Sequence, residues 1–173
     1  MRLAPRRDGN PRPFFLGLLA LTLLATAGGM LLLAWETPEA LPLLLALALL
    51  ELPILIGLFL WLSRLPQELY YELQGPTLTV HFPFGRHLVH RSQVAEVRPI
   101  AYALPWWTRR GESAMPGYHR RRWRLGGKPV EVYVGARRGE GVLLVLKSGE
   151  GLLLNPEDPK PQGFTQNSFL ALP

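Results

Sequence analysis

The sequence is organised around two apolar stretches, FFLGLLALTLLATAGGMLLLAW at residues 14–35 and LPLLLALALLELPILIGLFLWL at residues 41–62. Each contains 22 residues, and Glu51 is the one charged side chain in either. At 1.5 Å of rise per residue, a helix of this length spans about 33 Å, close to the ~30 Å hydrocarbon core of a bilayer. The five residues at 36–40 suit a tight acidic turn. The sequence therefore predicts a transmembrane helical hairpin.

The charges that flank the apolar stretches predict how the hairpin is oriented. Residues 1–13 contain four arginines and one acid, whereas the turn at residues 36–40 contains two glutamates and no base. Because basic flanks stay on the cytoplasmic side, we expect a multi-pass protein of the inner cell membrane with cytoplasmic N- and C-termini. The predicted organisation is a basic cytoplasmic tail at residues 1–13, the hairpin at 14–65 and one further domain at 66–173.

A cleaved signal peptide is the alternative interpretation of the first stretch. Arg6 and Arg7 would form its charged region, and residues 25–27 (Ala-Thr-Ala) would form a small-residue cleavage site. The apolar stretch continues without a break to Trp35, however, so cleavage would leave an apolar new N-terminus. This continuity favours the membrane anchor.

Glu51 is the one side chain of the hairpin with chemistry of its own. It lies 11 residues into a 22-residue span, and an acid at that depth is costly and by default a functional hypothesis. It is a candidate intramembrane contact with a partner or a second copy, or a proton or cation relay. A structural interpretation has the protonated acid bonded to the carbonyl freed by Pro53, or to Thr22 or Thr26. Neither span contains a second acid, a histidine or a lysine, which disfavours a transport pathway.

Composition limits the chemistry of the remaining chain. The 173 residues include no cysteine, which excludes disulfides, thiolate nucleophiles and cysteine-bound metals. The formal net charge is +6. The part that follows the hairpin is long enough for one small domain with its own core.

From Tyr70 onward the sequence changes to short alternating stretches separated by glycine and proline, a pattern typical of antiparallel strands. Strands are predicted at residues 70–73, 77–82, 86–90, 94–100, 130–134, 142–146 and 152–154. A three-residue turn at 83–85 would pair Phe82 with Arg86 and place His81 opposite His87. Such a pair could bind a metal, but His90 falls on the other face and supplies no third ligand, so solvated histidines are favoured.

Arginine and tryptophan side chains are interleaved between residues 106 and 138. We call this set the Arg–Trp patch: Trp106, Trp107, Arg109, Arg110, Arg120, Arg121, Arg122, Trp123, Arg124, Lys128, Arg137 and Arg138. Close to a bilayer, the bases would attract anionic headgroups and the indoles would lie at headgroup depth. Nucleic-acid binding is a second interpretation, and the membrane tether argues against it. The third is a solvated basic face over tryptophans that belong to the core.

Some stretches of the domain resemble a known family. They are residues 71–80 (Tyr-Glu-Leu-Gln-Gly-Pro-Thr-Leu-Thr-Val), Gly117, residues 124–126, and residues 141–145 and 153–159 with Phe164. They are similar to bacterial pleckstrin-homology (PH) domains that are attached to transmembrane helices, although Asn155 stands where serine is common. The resemblance implies a mainly-β PH-like barrel of about seven antiparallel strands with a short C-terminal helix. It also implies a binding role and no catalytic residues.

The sequence contains no candidate active site. The sequence contains no phosphate-binding glycine loop, no metalloprotease helix motif and no nucleophile elbow. We therefore expect no enzyme, no cofactor and no metal. The favoured function is a membrane-anchored, non-catalytic binding module that contacts anionic lipid through the Arg–Trp patch. The alternatives are a protein-interaction or assembly subunit of a larger membrane complex, as a homo-oligomer or with a protein partner, and an enzyme or transport component built around Glu51.

Overall fold

The structure is a computed structural model that describes residues 1–107 and 112–157 of the chain. The chain divides into two compact units. One unit is the helical hairpin, Pro11–Leu65. The other unit, which we call the β domain, combines Met1–Asn10 with the described residues from Pro66 onward. The first ten residues therefore belong to the β domain and not to a separate tail.

The hairpin consists of helices α1 (Pro11–Glu36) and α2 (Leu41–Arg64), which pack against each other. A single turn of 3-10 helix, Pro38–Ala40, joins them. Both helices are long and apolar enough to cross a membrane. Helix α1 begins three residues before the predicted apolar span, at Pro11, because prolines in a first turn lose no helical hydrogen bond, and α2 ends two residues after its predicted span. Pro53 lies inside α2, as the sequence predicts.

The β domain contains ten strands among the described residues. They are β1 (Arg2–Leu3), β2 (Tyr70–Gln74), β3 (Thr77–Phe82), β4 (Gly85–His90), β5 (Val94–Ala103), β6 (Ser113–Met115), β7 (Tyr118–Leu125), β8 (Lys128–Val134), β9 (Arg138–Leu146) and β10 (Gly151–Leu154). All seven predicted strands are present, and β9 lies in the interior of its sheet.

Two separate sheets replace the expected barrel. The first has four strands in the order β1-β2-β3-β4, and the second has six in the order β5-β9-β10-β8-β7-β6. Strands β8 and β10 pair in parallel, so the expectation of a purely antiparallel barrel of about seven strands is wrong in both strand number and pairing. The short helix expected from Asp158 onward, with Phe164, lies outside the described residues.

The six-stranded sheet is apolar on both faces. One face shares a buried cluster with the four-stranded sheet, in which Tyr71 and Val80 meet Tyr133 and Leu144. The opposite face carries a second buried cluster around Val132, to which Tyr102 and Leu153 contribute. Successive residues of a strand point to opposite faces, so the interior strands bury both sets of side chains.

The β3–β4 hairpin is one residue tighter than predicted. Phe82 pairs with Gly85, His81 with Arg86 and Val80 with His87, so the predicted pairing of His81 with His87 is wrong. The physical reason is a two-residue turn in which Phe84 adopts the positive φ of 74° that the sequence pattern assigns to Gly85.

The N-terminal ten residues, which the sequence predicts as part of a separate basic tail, are bonded into the β domain. Arg2 and Leu3 pair with β2, and the N-terminal ammonium donates to the Leu73 carbonyl at 2.7 Å. Further along, the Asn155 side-chain amide donates to the Arg6 carbonyl at 2.7 Å, and the Arg6 N–H donates to the Asn155 carbonyl at 2.8 Å. The tail is thus an edge strand of one sheet followed by a segment that is fastened to the other.

Candidate functional site

The tail is fastened to one end of the six-stranded sheet, which we call the tail end. Strand β5 ends there at Ala103, which pairs with the first residue of β9, Arg138. The Asp8 N–H donates to the Gly135 carbonyl just past the end of β8. Arg7 donates to the carbonyl of Pro66, at 3.3 Å. Within the β domain, the chain therefore leaves for α1 and returns from α2 beside the same end of this sheet.

The structure divides the Arg–Trp patch instead of presenting it as one surface. Trp106 and Trp107 follow β5, and Arg137 and Arg138 precede or begin β9, so these four residues are at the tail end. Arg124 pairs with Pro129 and lies near Lys128, toward the opposite end. Arg109 and Arg110 lie outside the described residues.

Within β7 the patch residues alternate between the two faces of the sheet. The Arg120 guanidinium lies 4.7 Å from the centre of the Phe82 ring and 5.7 Å from that of Tyr133, and so belongs to the packing between the sheets. Arg122 and Arg124 are exposed. Trp123 is half-buried against the outer apolar cluster and is a packing residue. This alternation leaves Arg121 on the outer face.

Arg121 is buried, with 4% of its surface exposed. Its Nη1 donates to the Trp107 carbonyl at 2.7 Å. Its Nε and Nη2 are buried and have no hydrogen-bond partner among the described residues. These two atoms carry three of the five N–H donors of the guanidinium, and burying them unpaired is costly.

His119 lies beside Arg121 on the same face and is also buried. Its Nε2 is 3.4 Å from the Asp8 Oδ2 atom, an ion-pair distance without hydrogen-bond geometry. Desolvation by burial lowers the pKa of His119, while Asp8 raises it and Arg121 lowers it by a smaller amount. The same Asp8 carboxylate accepts the Arg137 N–H at 2.7 Å and the Gly117 N–H at 3.4 Å. A carboxylate from the tail therefore occupies a cluster of donors at the tail end.

Two cavities open on either side of Arg121, each of about 580 Å³. The residues that give the first its charge and its aromatic wall are Asp8, Trp106, His119, Arg121, Arg137 and Arg138. The second extends along β7 and is lined by, among others, Trp107, Glu112, Arg121, Arg122, Trp123 and Arg124. Arg121 is the wall that the two cavities share.

The tryptophans at the mouth of these cavities are exposed. Trp106 keeps 76% of its surface accessible and Trp107 keeps 54%, and their rings meet edge to face with centroids 6.1 Å apart. Exposed indoles next to arginines are uncommon on a surface that meets only water, and they favour an interface between water and lipid.

The other candidate residues lie elsewhere. His81 stacks on Tyr70 and lies 3.2 Å from Glu72, whereas His87 lies 3.6 Å from Glu131. The part of the chain that the structure describes contains no group of three side chains suited to holding a metal ion. In the hairpin, Glu51 is exposed on α2. The hydroxyls of Thr22 and Thr26 donate to carbonyls of their own helix, Leu18 and Thr22 respectively.

Sequence analysis missed Asp8, His119 and Asn155 as parts of this region. Asp8 stands in a proline-rich tail without periodicity, and its donors are more than a hundred residues away in the chain. The burial of His119 and Arg121 depends on which face of β7 is covered, which the arginine run itself does not encode. The one usable signal was strand alternation, which places Arg121 on the same face as Trp123.

Comparison with known proteins adds no further assignment. No protein-family model matches the chain, no curated protein is detectably similar to it, and no solved structure matches it. What the structure establishes is two apolar helices of membrane-spanning length, followed by a β domain of two sheets.

Proposed function

We propose that this protein is a membrane-anchored, non-catalytic binding module that contacts anionic lipid headgroups through the tail end of its β domain. The observation that carries the proposal is the coincidence of three features at that end. The segments of the β domain that precede α1 and follow α2 are bonded there, the exposed Trp106 and Trp107 lie there, and Arg137 and Arg138 lie there.

The free energy that each arginine contributes to membrane contact is small, and the contributions add. A base held near an anionic membrane surface contributes about 1 kcal/mol, and the contribution falls off within a Debye length of about 10 Å at 0.1 M salt. Arg137 and Arg138 together would supply about 2 kcal/mol on this scale. Such a contribution orients a tethered domain without needing a separate affinity for the membrane, because the hairpin already holds the domain at the surface.

The fold supports the proposed topology. Met1–Asn10 and the domain that follows the hairpin form one compact unit, so both must lie on the same side of a membrane that the hairpin crosses twice. The basic tail and the acidic turn favour the cytoplasmic side of the inner membrane. Cleavage after residues 25–27 would remove the tail and leave the Gly135 and Asn155 backbones without their partners, which argues against a signal peptide.

The PH-like identity belongs to this proposal as well. Short strands and two N-terminal helices of membrane-spanning length agree with the resemblance to membrane-attached bacterial PH domains. The separation into two sheets and the parallel β8–β10 pair depart from the barrel that the resemblance implies. We therefore rest the function on the tail end itself.

Lipid binding by the full chain in neutral detergent micelles tests the proposal. We expect short-chain phosphatidylglycerol to bind more tightly than short-chain phosphatidylcholine, with an affinity that falls as salt is added. Arg138→Gln should weaken phosphatidylglycerol binding about fivefold, the equivalent of one base at an anionic surface. Arg86→Gln, an exposed arginine in β4, is the matched control and should change little. Equal binding of both lipids, or indifference to salt, would reject the function.

A protein-interaction or assembly subunit is the second candidate, and one observation favours it. Among the described strands, β4 lies at the edge of the four-stranded sheet, with Leu88 54% exposed and Phe84 81% exposed beside it. An exposed edge strand with apolar side chains is a template for pairing with another chain. Crosslinking in native membranes tests this candidate; a strictly monomeric chain without partners would exclude it.

A further inference from the structure

Arg121 lines both cavities and has a buried hydrogen-bonding edge without a partner among the described residues. Nε and Nη2 lie on one edge of the planar guanidinium, and this edge binds two oxygens of a phosphate or carboxylate side by side. In this chain both atoms lack a partner among the described residues, while the opposite nitrogen, Nη1, is fixed by the Trp107 carbonyl at 2.7 Å. The donor that remains is therefore both oriented and unsatisfied.

The charge around the first cavity favours an anion. Among the described residues, three arginines, Arg121, Arg137 and Arg138, line it together with one acidic residue, Asp8. A phosphate monoester carries about −1.5 to −2 charges at neutral pH, close to this excess of two positive charges. The volume of about 580 Å³ is large enough for a phosphate group and part of the molecule that carries it.

We propose that Arg121 is the bidentate anchor of a binding site for a phosphate monoester, with Arg137 and Arg138 completing the charge balance. This inference rests on the proposed function and names its ligand chemistry. The phosphate would satisfy the two donors that the described residues leave unpaired, so its binding would remove the cost of burying Arg121. The monoester could belong to a lipid headgroup or to a free phosphorylated metabolite.

The unpaired donors also predict that a substitution of Arg121 can abolish phosphate binding without lowering the stability of the protein. Replacing a buried charge that has lost its partner by an apolar side chain of similar length is often neutral or stabilising. Arg121→Met should therefore lose phosphate binding while leaving the thermal midpoint in phosphate-free buffer equal to or above that of the wild type. A purely structural arginine would lower the midpoint instead.

Calorimetry on the full chain in neutral detergent micelles provides the test, with inorganic phosphate, glycerol 3-phosphate and short-chain phosphatidic acid as probes. We expect the wild type to bind the monoesters. Arg121→Lys, which keeps the charge but loses the two-donor edge, should weaken binding about tenfold or more, and Arg121→Met should abolish it. Arg98→Met, an exposed arginine in β5, is the control and should bind as the wild type.

The outcomes separate the two sources and the two proposals. Phosphatidic acid that binds much more tightly than glycerol 3-phosphate identifies a lipid headgroup, and equal affinities identify a free monoester; both support the site. If no probe binds the wild type, or if Arg121→Lys binds the probes as the wild type does, the site is rejected. If phosphatidylglycerol still binds in a salt-sensitive way when the site is rejected, the proposed function stands, because it rests on Arg137, Arg138 and the exposed tryptophans and not on Arg121.

Discussion

Asn155 fastens the N-terminal tail to the β domain, and removing its side chain tests how much of the stability depends on that attachment. Its Oδ1 accepts the Gly135 N–H at 2.8 Å, its Nδ2 donates to the Arg6 carbonyl at 2.7 Å, and only 1% of the residue is exposed. Asn155→Ala removes both bonds. The Tyr71 hydroxyl, which also donates to Asn155 Oδ1, keeps its bond to the Tyr133 carbonyl at 2.8 Å.

The expected loss in the free energy of unfolding follows from the two backbone groups that lose a hydrogen-bond partner. The Gly135 N–H is buried and would cost about 1–3 kcal/mol when left unsatisfied. The Arg6 carbonyl is partly accessible to water and would cost about 0.5–1.5 kcal/mol, the net value of an ordinary hydrogen bond. We therefore expect Asn155→Ala to lower the free energy of unfolding of the β domain by about 1.5–4.5 kcal/mol.

Denaturant unfolding of the full chain in detergent, followed by tryptophan fluorescence, measures this loss. Trypsin supplies an independent readout, since detachment of the tail should speed cleavage after Arg6 and Arg7. Gln74→Ala, which removes an exposed amide bonded to Glu72, is the control and should stay within about 0.5 kcal/mol of the wild type. If the Asn155→Ala protein matches this control in both stability and trypsin resistance, Asn155 does not hold the tail on the β domain.

Three further predictions concern packing, pH and topology. Gly141→Ala should destabilise the β domain by about 1–3 kcal/mol, because its Cβ would lie 2.5 Å from the Leu154 carbonyl oxygen, whereas Gly9→Ala, with nothing within 4 Å, should be neutral. Burial holds the pKa of His119 below its ordinary value, so the unfolded chain binds the proton first as the pH falls. The free energy of unfolding should therefore decrease as the pH drops below about 6.5. Measured by unfolding at several pH values, His119→Gln should make this decrease with pH smaller. In intact cells, an impermeant thiol reagent should label Thr37→Cys in the hairpin turn and leave Ser148→Cys unlabelled. The reverse labelling pattern would show that the orientation in the membrane is opposite to the one proposed.

Local sequence patterns predicted most of the helices and strands, but they did not predict how the strands pair. The apolar spans predicted α1 and α2 because lipid imposes a length and a composition that are visible within one segment. Alternation predicted β3 and β9 for a similar reason. Contacts between distant segments were not visible: β1 has two residues, too few for any periodicity, and its pairing with β2 joins residues some seventy positions apart.

The candidate site shows the same limit at the level of single residues. The arginine run of β7 predicted a basic surface, but whether a given arginine is buried depends on what covers each face of the sheet. Arg120 packs over Phe82, Arg121 is buried between two cavities, and Arg122 is exposed, although the three are consecutive and chemically identical. The β3–β4 register failed through one side chain, since nothing in the sequence signals that Phe84 takes the positive φ next to an available Gly85.

The depth of the tail end in a bilayer tests the central claim most directly. The chain contains no cysteine, so Trp106→Cys and Ser148→Cys each provide one site for a spin label. Ser148 follows β9 at the end opposite Arg138, and a nine-residue strand separates these ends by roughly 30 Å. In vesicles that contain phosphatidylglycerol, the label at position 106 should collide with a paramagnetic quencher attached to the headgroups, while the label at position 148 should not. Equal collision rates at the two positions, or a higher rate at position 148, would contradict the account.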